Sequence, residues 1–355
     1  MGLTIKWDIT YKCNLCCEHC VNGIYLNKDS KEISFEEIKT IVDNINSTKK
    51  IDYIHLLGGE PSVRKDFQDI CKFLNERCIN FGFNTNALTL YKNKDVLKNE
   101  HLKSIVLSLE GPNEIINDSI RGKKVFSKVN ENLNKLIEYK NQLKNKNSKI
   151  TVNMVLTKQN HEYIEEMINY CENIGVDELS ILALIELGNA QGKNLSLSFS
   201  EEVQAVTSIA KIINSKSLNL EITPKFVPSL ATKYVKEVLK LDFPNIIQGC
   251  GAGTTLVFLD NEGNLHPCDM MRDYSWDRSL IKNSFKKIMS HKDFEEPFEK
   301  SESHNGYSNF YPCNKCEYLQ KECVPCFKIS STNKIVNMKK CILFNQLIEE
   351  KLNAK

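Results

Sequence analysis

The chain has 355 residues, 41% of them hydrophobic and 26% charged. That composition excludes a disordered, fibrous or collagen-like chain and leaves ample length for a sizeable core. Lys and Arg total 47 against 45 Asp and Glu, so the net charge of +2 does not call for a nucleic-acid partner.

The first half alternates strand-like and helix-like segments. Ile5 to Thr10 reads as a strand leading into a cysteine group. Ser34-Phe35-Glu36-Glu37 is a capping box, followed by Ile38, Ile41, Val42 and Ile45 at helical spacing. Further strands are expected at 51–57, 81–84, 105–109, 150–156 and 178–184, with helices at 67–74, 125–139 and after Asn160. Six strand–helix repeats imply parallel strands joined by right-handed crossovers, short of the eight of a closed barrel. The expected fold is therefore α/β, a partial (β/α)6 TIM-like barrel, with its chemistry at the C-terminal ends of the strands. The expected domains are the barrel over 1–190, a helical connector over 191–247 and a small cysteine-rich domain over 248–355. Val257 to Leu265 reads as a hairpin around Asp260-Asn261-Glu262-Gly263. No apolar run is long enough to span a membrane, and the N-terminus lacks the apolar core of a signal peptide. The expectation is a cytoplasmic protein with no membrane partner.

Fourteen cysteines are anomalous for such a chain, because the cytosol keeps thiols reduced. Thiols clustered at short spacings there usually hold metal. Cys13-x3-Cys17-x2-Cys20 puts three thiols on one loop, enough to grip three irons of a cubane and leave the fourth open. Half of a zinc site, from Cys13-x2-Cys16 or Cys17-x2-Cys20, is the alternative on spacing alone. Cys71, Cys78 and Cys171 are read as core residues, and Trp7 and His55 as packed inside. His266 has no partner spacing but lies two residues before Cys268.

The first cysteine loop resembles the CxxxCxxC signature of radical S-adenosylmethionine (SAM) enzymes, in which the residue before the last cysteine is usually aromatic; here it is His19. Gly58-Gly59-Glu60-Pro61 resembles the family's GGEP motif, Thr85-Asn86-Ala87 its TNG, Ser108-Leu109-Glu110-Gly111-Pro112 its SLDGP with Glu for Asp, and Ile120-Arg121-Gly122 its IRG. The resemblance implies a [4Fe–4S] cluster on Cys13, Cys17 and Cys20 whose open iron chelates SAM. Cofactor-binding roles follow for His19, Gly58, Gly59, Glu60, Pro61, Asn86, Ser108, Glu110 and Arg121. It also implies reductive cleavage of SAM to a 5′-deoxyadenosyl radical, which abstracts a hydrogen from an unactivated carbon.

Cys250, Gly263-x4-Cys268, Cys313-x2-Cys316-x6-Cys323-x2-Cys326 and Cys341 resemble the SPASM extension of that family. Cys323 is displaced by one from the usual CxxCx5Cx3C run. The resemblance assigns Cys313, Cys316, Cys323 and Cys341 to a distal auxiliary cluster, and Cys250, Cys268 and Cys326 to a proximal one. It thus implies three [4Fe–4S] clusters in all. The proximal site lacks a fourth ligand from the motif; a residue elsewhere closes it, or its open iron binds a substrate group. Asp269 matches a position where sulfatase-maturing members have an Asp and is the candidate base; a solvated or helix-capping Asp is the alternative.

The family mostly oxidises peptide or protein side chains, so a peptide or protein substrate is expected. Formylglycine formation of the sulfatase-maturase kind and radical dehydrogenation of a sugar or aminocyclitol are the enzymatic alternatives. A zinc-binding scaffold and an electron-transfer iron–sulfur protein are the alternatives without this chemistry. A flavodoxin or ferredoxin is the expected reductant. Only twelve residues precede Cys13, so leader recognition is expected from a separate protein or another surface.

Overall fold

The computed structural model describes residues 2–28, 31–143, 147–225, 229–244, 251–273, 275–292, 294 and 336–353. Seven strands run parallel: β1 (Leu3–Thr10), β2 (Ile51–Gly58), β3 (Asn80–Thr85), β4 (Leu102–Ser108), β5 (Lys149–Leu156), β6 (Glu178–Ala183) and β7 (Glu221–Lys225). Helices α1 (Phe35–Asn46), α2 (Phe67–Glu76), α3 (Glu114–Arg121), α4 (Val125–Gln142), α5 (Ile164–Ile174) and α6 (Phe199–Ser215) lie between them. β8 (Leu256–Leu259) adds in parallel beside β1, and β9 (Leu265–His266) pairs with it antiparallel, giving the order β7-β6-β5-β4-β3-β2-β1-β8-β9.

The strands alternate with period two, which divides the sheet into two unlike faces. Trp7, Ile54, Leu56, Phe81, Phe83, Ile105, Leu107, Val152, Met154 and Ile181 belong to the buried apolar core. Their neighbours Lys6, Asp8, Tyr53, His55, Asn84, Ser104, Ser108, Thr151 and Asn153 line a single cavity. A parallel sheet packed on both faces would read as continuous apolar runs. The polar alternate positions mark a hollow partial barrel.

The six expected strands are all present; between β3 and β4 the chain forms a kinked 3-10 segment (Leu90–Lys98) in place of an α-helix. α1 has the expected capping box: Ser34 Oγ accepts from Glu37 N–H, and the Glu37 carboxylate accepts from Ser34 N–H (2.7 Å). The hairpin is present too, with Asp260 N–H donating to Asn264 O and Gly263 at φ +80°. Elements beyond those expected include α3 and β7. α3 is capped by Asn113, whose side chain accepts from Ile116 N–H. β7 forms within the expected connector; it is an edge strand, where Pro224 does not interrupt a ladder on both sides.

Cys71 and Cys171 are core residues as expected, and Trp7 is buried. Cys78 is not: it is exposed at φ +54°, in the left-handed turn that ends α2. His55 faces the cavity instead of the packed core. Helix α7 (Ser229–Lys233) runs into a π-helical turn (Tyr234–Leu239); among the described residues, helices α8 (Phe285–Met289) and α9 (Val336–Asn353) follow. Phe344 of α9 packs edge-on to Phe199, with ring centroids 4.8 Å apart. Among the described residues no helix is long and apolar enough to cross a membrane.

Candidate active site

The cysteine loop leaves the C-terminal end of β1 and is held from several sides. Asn27, at φ +54°, accepts from Cys13 N–H (3.0 Å) and donates to Cys13 O (3.1 Å). Glu18 N–H donates to Ile120 O, so the end of α3 abuts the loop. The turn after β6 closes over it: Asn189 N–H donates to Cys20 O (2.9 Å) and Asn189 Nδ2 to Cys17 O (3.0 Å). Gly188, at φ +60°, passes so close that a Cβ would lie 2.4 Å from Cys20 O. Cys17 is buried, Cys13 and Cys20 are half-buried, and Cys16 is exposed. Burial pushes the Cys20 thiol up to about 11 and raises those of Cys13 and Cys17, while the Arg121 guanidinium pulls all three down.

Gly58-Gly59-Glu60-Pro61 lies against the base of that loop. Gly59 N–H donates to Thr10 O and Glu60 N–H to Lys12 O (both 2.8 Å). A Cβ on Gly59 would sit 2.3 Å from Lys12 O, and one on Gly58, at φ +134°, 2.1 Å from Thr10 O. Only glycine permits this approach. Glu60 is buried and fully used: Oε1 accepts from Ser62 N–H (3.1 Å), Ser62 Oγ (2.5 Å) and Thr85 Oγ1 (2.9 Å), and Oε2 from Asn86 N–H (2.5 Å). It ties the glycine turn to the end of β3. Asn86 then reaches the cysteine loop, its Nδ2 donating to Asn14 Oδ1 (2.6 Å).

Two of the positions where the chain departs from the family pattern, His19 and Glu110, meet. His19 Nε2 lies 3.2 Å from Glu110 Oε1, and Arg121 Nη1 lies 3.2 Å from the same oxygen. Val155 N–H donates to Glu110 Oε2 (2.7 Å). Burial works to raise the Glu110 pKa, but His19 and Arg121 outweigh it and the net shift is downward. His19 Nδ1 and Arg121 Nε are buried with no partner among the described residues.

These residues line a cavity of about 740 Å³, together with Cys13, Cys17, Cys20, Ser108 and Pro61. Its wall includes Asp269, which accepts from Lys6 Nζ (3.2 Å) and sits next to half-buried Cys268. Sequence reasoning missed Arg272, which bonds to Tyr11, Asn22 and Asp8 in a region where no local pattern marks it. His266 is structural: Arg278 Nη1 donates to its Nδ1 (3.2 Å), so Nε2–H donates to Asp260 (3.0 Å) and braces the hairpin. Cys341 is partly buried on α9. Cys250, Cys313, Cys316, Cys323 and Cys326 lie outside the described residues.

The donors present fit the cofactors. Three thiols share one loop, the glycine turn packs backbone to backbone against the base of that loop, and His19 and Arg121, each with a buried unpaired nitrogen, line the cavity. Among the described residues no three His, Cys, Asp or Glu side chains converge on a single ion. Thiolates that each hold a different iron of a cubane have no need to converge.

The family model described as "Radical SAM superfamily" matches residues 7–171. An AdoMet-dependent heme synthase of Oleidesulfovibrio alaskensis is 23% identical over 326 residues, 88% of this chain and 80% of the relative. The mycofactocin maturase MftC of Mycolicibacterium smegmatis is 28% identical over 168 residues, 46% of this chain and 40% of the relative. Streptococcus suis SuiB, solved bound to the precursor peptide SuiA, shares the fold at TM-score 0.72 and 18% identity, over 91% of this chain and 71% of SuiB. That family implies SAM and a [4Fe–4S] cluster. The chain is thus an enzyme, and residues 7–171 form its radical SAM domain.

Proposed function

We propose that this enzyme oxidatively modifies a side chain of a peptide or protein. One observation carries the reading: the cysteine loop, the Gly58-Gly59 turn and the His19–Glu110–Arg121 cluster line the same cavity as Asp269. The maturase MftC and the peptide-bound SuiB support a peptide as the substrate.

Cys13, Cys17 and Cys20 hold the SAM-binding cluster in this reading. When bound, the cluster and SAM supply a 5′-deoxyadenosyl radical that removes a hydrogen atom from an unactivated carbon. The Gly58-Gly59 backbone, Asn86 and Ser108 orient the cofactor, Glu60 fixes the glycine turn to the end of β3, and buried Glu110 and Arg121 exclude water beside it. Asp269 would take the proton released as the substrate radical is oxidised, the electron passing to the proximal auxiliary cluster; Lys6 bonds its carboxylate on the cavity wall. Cys250, Cys268 and Cys326 hold a proximal auxiliary cluster and Cys313, Cys316, Cys323 and Cys341 a distal one. A flavodoxin or ferredoxin supplies electrons in the cytoplasm, and a peptide leader is recognised by a separate protein or by another surface.

The test is anaerobic turnover with SAM and a low-potential reductant, on peptides encoded by neighbouring genes. The expected products are 5′-deoxyadenosine and a peptide lacking two or more hydrogens. Asp269→Asn is expected to keep 5′-deoxyadenosine formation and lose at least tenfold in peptide product; unchanged product would remove Asp269 from the chemistry. A second reading, a small-molecule substrate, is favoured by the heme synthase, whose similarity spans 88% of the chain. SAM cleavage stimulated by a porphyrin and by no peptide would select it.

A further inference from the structure

Arg272 joins two parts of the chain that lie 250 residues apart in sequence. Its Nη1 donates to the Tyr11 hydroxyl (2.8 Å), and Nη2 donates to Asn22 Oδ1 (3.2 Å) and lies 3.3 Å from Asp8 Oδ2. Nε turns the other way and donates to the carbonyl of Asp269 (2.8 Å). The guanidinium carbon stacks 4.3 Å from the Phe258 ring centroid and 4.9 Å from that of Tyr25. All three guanidinium nitrogens are therefore engaged, with two aromatic ring centroids within about 5 Å of its carbon.

The partners fall into two sets. Tyr11, Asn22 and Tyr25 bracket Cys13 to Cys20, two residues outside them on each near side. Asp269 follows Cys268, in a turn closed by Met271 N–H donating to Cys268 O (3.0 Å). A planar fork with donors in three directions can serve both sets at once; an ammonium on a flexible stem cannot.

We propose that Arg272 is a positioning residue that sets the first cysteine loop and the Cys268–Asp269 turn as one unit on the cavity wall. The proposal rests on the reading that Cys13, Cys17 and Cys20 hold the SAM-binding cluster. Ordering of one segment is then transmitted to the other, and the coupling is reciprocal.

The experiment is hydrogen exchange on the anaerobically reconstituted enzyme, following peptides over 11–28 and 265–273, with β4 and β5 as internal references. Arg272→Met is expected to speed exchange in both segments by roughly tenfold or more while the references stay unchanged. Arg272→Lys is not expected to restore both. Asn22→Ala, the milder variant, is expected to speed exchange in 265–273, which it does not touch in sequence, and to add nothing there on top of Arg272→Met. The electron paramagnetic resonance signal of the reduced cluster with SAM is expected to change in Arg272→Met. A response in one segment only, additive effects, or equal loosening of β4 and β5 would overturn the proposal. Replacing Cys13, Cys17 and Cys20 by Ala separates the two readings. If that variant keeps the SAM-dependent signal, the cluster assignment fails. If it loses the signal while Arg272→Met leaves both segments protected, only the positioning role fails.

Discussion

His55 shows how one side chain is set by its neighbours on the concave face. Its Nε2 lies 2.7 Å from Asn84 Oδ1 and its Nδ1 3.0 Å from the Tyr53 hydroxyl. An amide oxygen only accepts, so Nε2 carries the hydrogen and Nδ1 accepts from Tyr53, which in turn accepts from Ser104 (2.7 Å). Gly82 makes the space: a Cβ there would lie 2.1 Å from the Tyr53 hydroxyl. Burial pushes His55 down from the ordinary 6.5 to about 4, with nearby Lys6 and Lys225 acting in the same direction and the Asn84 bond opposing them. The unfolded chain therefore binds a proton between about pH 6.5 and 4 that the folded chain refuses, and stability falls as pH falls through that window. Thermal unfolding of His55→Gln should show a smaller loss of melting temperature between pH 7 and pH 4.5 than the natural chain; equal losses would refute the assignment.

At the scale of elements, loops after different strands hold one another. The turn after β6 braces the loop after β1 through Asn189 and Gly188, and the end of β2 braces it through Gly58 and Gly59. Asn189→Ala removes the donor to Cys17 O, a change worth about 1 kcal/mol for a neutral hydrogen bond. The expected outcome is faster iron loss from the SAM-binding site to a chelator, by roughly fivefold, with little change in global unfolding. An unchanged release rate would show that the brace does not hold the loop. The glycines were legible in the sequence because a local turn demands them. Asn189 was not, because nothing in its own surroundings marks it; its role depends on a contact 172 residues away.

At the scale of the whole molecule, β7 from the expected connector and β8 and β9 from the expected cysteine-rich region extend one nine-stranded sheet. β8 lies beside β1, so Cys268 and Asp269 follow directly from a hairpin at the barrel's edge. In the proposed reading the chain carries about twelve irons when reconstituted anaerobically, for three cubanes. Iron and sulfide analysis checks this. About four irons would leave the SAM-binding cluster alone, and zinc in place of iron would reject the cluster chemistry.

The cysteine spacing, the glycine turn and the alternation of strands and helices were readable from sequence because each is written within a few residues of itself. The partial barrel followed from counting them. The pairing of His19 with Glu110, the direction of His55 toward the cavity and the span of Arg272 were decided only by tertiary structure. These are contacts between segments brought together by the sheet order, and no periodicity along a single segment encodes which face of another it will meet.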